Sequence, residues 1–144
     1  MTIDTTGRWW AGTEFADLSE YLQALTKSTY PASEVRQAVC RCGHTVFGLR
    51  ADRIEGCAQR TCCSCGDRAY LVDSADTADE ARLRPVKCPC GGKEFEIGVG
   101  FSFREDSEVR WITIGQRCVA CGVLASYVDW SIDYAPSRHL LQQV

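Results

Sequence analysis

The sequence predicts a mainly β protein with one N-terminal helix, built from two tandem copies of a small three-stranded module that pack together. Three observations lead there. The phrase Cys-x-Cys-Gly occurs twice, at Cys40 and at Cys88, and each occurrence is followed by Cys-x-x-Cys-Gly, at Cys62 and at Cys118. Period-2 alternation of apolar and polar residues recurs around these thiols. Only the stretch ahead of them carries apolar residues at helical spacing.

Residues 1–39 form the N-terminal segment. In "GTEFADLSEYLQALTKS" the residues Phe15, Leu18, Leu22 and Leu25 recur at helical intervals, which predicts a helix from about residue 14 to residue 27 with Thr13 as its N-cap. Pro31 ends it, because proline disfavours helix at the residue before it. The apolar stripe is expected to pack on the first module. Trp9 and Trp10 precede the helix, and two adjacent indoles do not both face one small core unless the chain twists there, which leaves at least one as a candidate contact for a partner.

The first module covers residues 40–73, with strands expected in "TVFGLRA", "RIEGCAQ" and "RAYLVD". Residues 74–87 read as a linker with a short helix near "ADEARL", closed by Pro85. The second module covers residues 88–134. In "EFEIGVGFSF" the residues Phe95, Ile97, Val99, Phe101 and Phe103 alternate with small or polar ones, "VRWITIG" returns, and "SYVDWSIDY" alternates again. Residues 135–144 are a tail in which His139 faces solvent. The copies agree beyond their thiols: Phe47 follows Cys42 as Phe95 follows Cys90, and Asp73 follows Cys65 as Asp129 follows Cys121. They differ in the middle, with 19 residues between Cys42 and Cys62 and 27 between Cys90 and Cys118. Such self-similarity marks a duplicated supersecondary unit. Two modules this small are expected to bury their apolar faces against each other.

A three-stranded sheet with one thiol pair before its first hairpin and another before its third strand resembles the zinc ribbon family, with its rubredoxin-like four-cysteine sites. The resemblance implies two Zn²⁺ per chain, one held by Cys40, Cys42, Cys62 and Cys65 and the other by Cys88, Cys90, Cys118 and Cys121. Where the family has Cys-x-x-Cys at both knuckles, this chain has Cys-x-Cys at the first. Pairing of thiols between the repeats, and plain buried thiols, stay open as alternatives. Cys57 and Cys63 are left over: Cys57 packs as a small apolar residue and Cys63 points away from the metal, or either exchanges with a ligand. His44 is an alternative ligand in place of Cys40 or Cys42.

Bulk properties narrow the function. No apolar run approaches the roughly 20 residues that span a bilayer, which leaves no role for a membrane. The N-terminus lacks the pattern of a signal peptide, so the chain reads as cytoplasmic, where ten cysteines are not expected to form disulfides. The formal charge of −3 becomes about −7 once eight thiolates bind two Zn²⁺. Arg41, Arg50, Arg53, Arg60 and Arg68 cluster in the first repeat, but Asp52, Glu55, Asp67 and Asp73 interleave with them, against the basic patches of nucleic-acid binders. No catalytic motif is present, and a four-thiolate zinc is a closed site, so no enzyme is expected. A structural zinc protein whose exposed face binds another protein is the leading reading. The thiol spacing of the second repeat also resembles the zinc centre of the bacterial redox-regulated heat-shock holdase, which implies a redox sensor or chaperone as the alternative. A nucleic-acid-associated zinc ribbon is the third.

Overall fold

A computed structural model describes residues 3–144. Helix α1 (Phe15–Thr26) is followed by strands β1 (Glu34–Gln37), β2 (Val46–Asp52), β3 (Cys57–Cys62), β4 (Arg68–Tyr70), β5 (Arg84–Pro85), β6 (Phe95–Phe103), β7 (Val109–Cys118) and β8 (Leu124–Ser131). Short 3-10 turns lie at Ser74–Asp76 and Arg138–Gln142. The protein is thus mainly β with one N-terminal helix. All eight strands belong to one antiparallel sheet in the order β4-β3-β2-β6-β7-β8, with β1 added to β6 and β5 added to β2. No helix of the described residues is long and apolar enough to cross a membrane.

The two modules therefore join edge to edge in one sheet, and their apolar residues share one core, as two modules this small need. They join where Val46 and Phe47 pair with Glu96 and Phe95. Phe47 and Phe95 hold the same place in the two repeats, so an approximate two-fold axis passes between them. The symmetry reaches further. The Ala38 N–H donates to the Ile97 carbonyl at 2.9 Å, and at the matching positions the Val86 N–H donates to the Leu49 carbonyl at 2.9 Å. Strand β1, which leads into the first repeat, pairs with β6 of the second, while β5, which leads into the second, pairs with β2 of the first. On the edge of β6, β1 and β2 lie in line, and the Cys-x-Cys turn is the excursion between them. The edge of β2 carries β5 and β6 in the same way.

One face of this sheet covers the main core, where Phe47, Phe95, Ile97, Phe101, Ile112, Ile114 and Leu71 are fully buried. Burial of each such side chain is worth about 1.5–3 kcal/mol. The other face takes α1. A Cβ at Gly115 would lie 2.6 Å from Leu22, so the helix rests on the sheet only because glycine stands there. This places α1 on β6 and β7, against the expectation that it packs on the first module, because the glycines Gly98 and Gly115 open a seat only in the second. Leu18 and Leu22 are buried, whereas Leu25 points outward. The cap is Glu14, one residue after the predicted Thr13. The buried Asp17 carboxylate explains the shift, since it accepts the N–H groups of both Thr13 (2.8 Å) and Glu14 (3.3 Å).

The first hairpin turns later than the sequence pattern suggested, because residues 53–56 form the turn and Cys57 starts the return strand. "ADEARL" is a turn and coil region rather than a helix. The Asp73 carboxylate fastens the two halves, accepting from Trp130 Nε1 at 2.9 Å and from the Tyr134 hydroxyl at 2.7 Å.

Candidate metal centres

Each repeat places its two thiol pairs by the same set of backbone hydrogen bonds. At the first pair, the Gly43 N–H reaches the Cys40 carbonyl at 2.7 Å, and the Gly91 N–H reaches the Cys88 carbonyl at 2.8 Å. At the second pair, Gly66 donates to Cys62 at 3.0 Å and Gly122 to Cys118 at 2.7 Å. These four glycines have φ between +77° and +93°, a conformation that side chains of L-residues resist. The Gly in each phrase is therefore what lets the chain fold back over its own thiols. The knuckles are then tied to their hairpins: the Cys63 N–H bonds the Val46 carbonyl at 3.0 Å, and the Val119 N–H bonds the Glu94 carbonyl at 3.1 Å.

The sulfurs of Cys40, Cys42, Cys62 and Cys65 come together within 4.8 Å of one another, and so do those of Cys88, Cys90, Cys118 and Cys121. Both groups form within one repeat, so the thiols are not shared between repeats. The shortest sulfur separations are 3.6 Å for Cys40–Cys65 and Cys42–Cys62, 3.4 Å for Cys88–Cys121 and 3.7 Å for Cys90–Cys118. A disulfide needs about 2.05 Å, so none of these pairs is bonded. Four thiolates around an ion at about 2.3 Å stand about 3.8 Å apart at the corners of a tetrahedron, which the observed edges approach. The residues present fit a tetrahedral metal ion.

Electrostatics in the two groups point the same way. The Cys65 N–H, with that of Ser64, draws the Cys62 thiol down to about 6. The Gly92 N–H, 3.4 Å from Cys90 Sγ, draws that thiol down to about 7. Cys42 receives the His44 N–H, which lowers it, yet desolvation and the other three thiols push it up to about 12. Burial raises Cys88. Four sulfurs this close do not all ionise without a cation, because each thiolate raises the cost of the next. A dication among them removes that conflict.

In each group two cysteines are buried (Cys40 and Cys62; Cys88 and Cys118) and two are exposed. His44 is not one of the clustered ligand atoms: its Nδ1 lies 3.5 Å from Cys42 Sγ, beside a group of four sulfurs that does not include it. The matching residue in the second repeat is Gly92, where a Cβ would lie 2.8 Å from Cys118 Sγ. Sequence reasoning missed that constraint, which "CPCGG" marked by its second glycine. Cys57 is buried away from both groups, with its thiol 3.4 Å from the Ser74 carbonyl. Cys63 is exposed and belongs to neither group, and partial desolvation together with Glu94 pushes its thiol up to about 11, away from the reactive thiolate. Arg60 leaves the arginine cluster, since it is 8% exposed and stacks on Phe47. His139 is exposed.

The second centre also carries the tryptophan segment. The Gly12 N–H donates to the Gly122 carbonyl at 2.8 Å, and the Leu124 N–H donates to the Trp10 carbonyl at 2.7 Å. Trp9 and Trp10 are 46% and 37% exposed. Comparison with protein-family models, with curated proteins and with solved structures finds no match to this chain.

Proposed function

We propose that each four-sulfur group holds one Zn²⁺ as a closed structural site, which makes the chain a pair of zinc ribbons, and that the protein is a cytoplasmic, non-catalytic adaptor that binds another protein. The observation that carries the metal reading is the set of sulfur edges, 3.4–3.7 Å at both centres, which suits a small ion with four soft ligands. When bound, the ion supplies folding free energy and leaves no open position for a substrate. The chain's own residues supply the rest. The four positive-φ glycines shape the turns, and backbone N–H groups share the charge on the thiolates.

The adaptor reading is supported by Trp9 and Trp10, whose indoles are exposed although their backbone is held to the second centre. Exposed, positioned aromatic side chains are the common anchors of protein interfaces. Elemental analysis of protein purified without chelator tests the metal assignment, with two zinc per chain expected. Iron with visible colour, or one ion or none per chain, overturns it.

A further inference from the structure

We propose that the groove between the tryptophan segment and α1 takes a segment of a partner protein in which an apolar side chain stands next to a carboxylate. This rests on the adaptor reading and gives its partner a chemistry. The groove has a volume of about 440 Å³ and is walled by Trp9 and Trp10 on one side and by Tyr21, Ala24 and Leu25 of α1 on the other. That volume falls in the range of roughly 300–1,000 Å³ typical of binding sites. Leu25 is 48% exposed, so the part of the helix stripe that the sheet does not cover continues the apolar surface of the indoles.

The walls are held before any partner arrives. The Trp10 ring meets Tyr21 edge-on, with centroids 5.9 Å apart. The backbone under Trp10 is hydrogen-bonded to the turn after Cys121, and Arg117 Nη1 donates to the Gly12 carbonyl at 3.4 Å. A preformed apolar wall loses little freedom on binding.

Arg8 gives the groove its sign. It is the one charged residue that lines it, and its guanidinium lies 5.1 Å from the Trp9 ring centroid. It has no hydrogen bond or ion pair with any described residue. A guanidinium that spends its face on an indole keeps its N–H edge for a carboxylate, which it matches in a two-point geometry. An apolar groove with one free guanidinium at its rim thus selects an apolar anchor flanked by Asp or Glu.

The test is selection from a random-peptide display library on the zinc-loaded protein, followed by fluorescence anisotropy with the selected peptides. Peptides with Leu, Ile, Phe or Trp beside an acid are expected. Trp10→Ala and Leu25→Asp are expected to weaken binding about tenfold or more, as loss of an interface anchor does. Arg8→Glu is expected to do the same and to be rescued when the peptide's acid becomes Lys. Zinc content and circular dichroism of each variant verify that the fold is kept. Selected peptides without acids, or binding indifferent to Arg8→Glu, overturn the groove chemistry while sensitivity to Trp10→Ala keeps the adaptor reading. Indifference to Trp9→Ala and Trp10→Ala overturns both. A dimer of the free protein that Leu25→Asp breaks makes a second copy the occupant and also overturns the proposal.

Discussion

Gly66 and Gly122 occupy the same place after the last thiol of each repeat, with φ of +77° and +82°, so alanine at either meets the same backbone resistance. That resistance is about 1–2 kcal/mol. Their surroundings differ. A Cβ at Gly66 has nothing within 4 Å, whereas one at Gly122 would lie 2.5 Å from the Gly12 carbonyl oxygen. The backbone there must part, at the expense of the Gly12–Gly122 and Leu124–Trp10 hydrogen bonds. Two such bonds are worth about 2 kcal/mol together. Gly66→Ala is thus expected to cost about 1.5 kcal/mol and Gly122→Ala about 3.5 kcal/mol. At about 3 °C per kcal/mol for a chain of this size, the melting temperatures fall by about 5 °C and 10 °C. The assay is thermal unfolding at saturating zinc, which keeps the metal contribution equal. Tryptophan emission at room temperature should shift to the red for Gly122→Ala alone. Equal losses, or a larger loss for Gly66→Ala, would refute the claim that the N-terminal segment is seated on the second knuckle.

Cys118→Ser is expected to lower metal content from two ions to one and to unfold the second repeat, a loss of several kcal/mol, while Cys63→Ser leaves both metal content and melting temperature within about 0.5 kcal/mol of the parent. Equal damage from the two would mean that Cys63 is a ligand of the first centre. Acid should release the metal. The thiols of Cys62 and Cys90 are lowered from 9.0 to about 6 and about 7, so the advantage of their ionised forms is complete above pH 9. It is lost as pH falls through about 7 at the second centre and about 6 at the first. A chromogenic chelator should therefore take up metal from the parent protein as pH falls from 9.0 through about 6, and release no greater at that pH than at 9.0 would contradict it.

The thiol phrases singled out the eight cysteines that cluster, because each tight turn ending in positive-φ glycine presents its two thiols together, but which pairs meet was left open by the sequence and is set by the hairpins that carry them. The alternation in "EFEIGVGFSF" was equally plain, and β6 runs from Phe95 to Phe103. What escaped was non-local. "EVRQ" and "RP" have neither the length nor the alternation of strands, and they become strands only because the other repeat offers them an edge. The seat of α1 was written in Gly98 and Gly115, residues that read as weak strand positions until a helix is laid over them. Leu25 fitted the helical stripe but faces the groove. Thr13 suited a cap by type, and Asp17 moved the cap by reaching back to two N–H groups at once.

The exchange of β1 and β5 has a consequence for synthesis. A chain growing from its N-terminus completes Cys40, Cys42, Cys62 and Cys65 before the partner of β1, which begins at Phe95, has been made. The first four-thiol group is then complete while β1 and the edge of β2 are still open. An open edge of this kind pairs with whatever strand is near. Within one nascent chain the intended strand arrives after a short wait. When translation stops between Ser74 and Glu94, β6 is absent and both edges stay open.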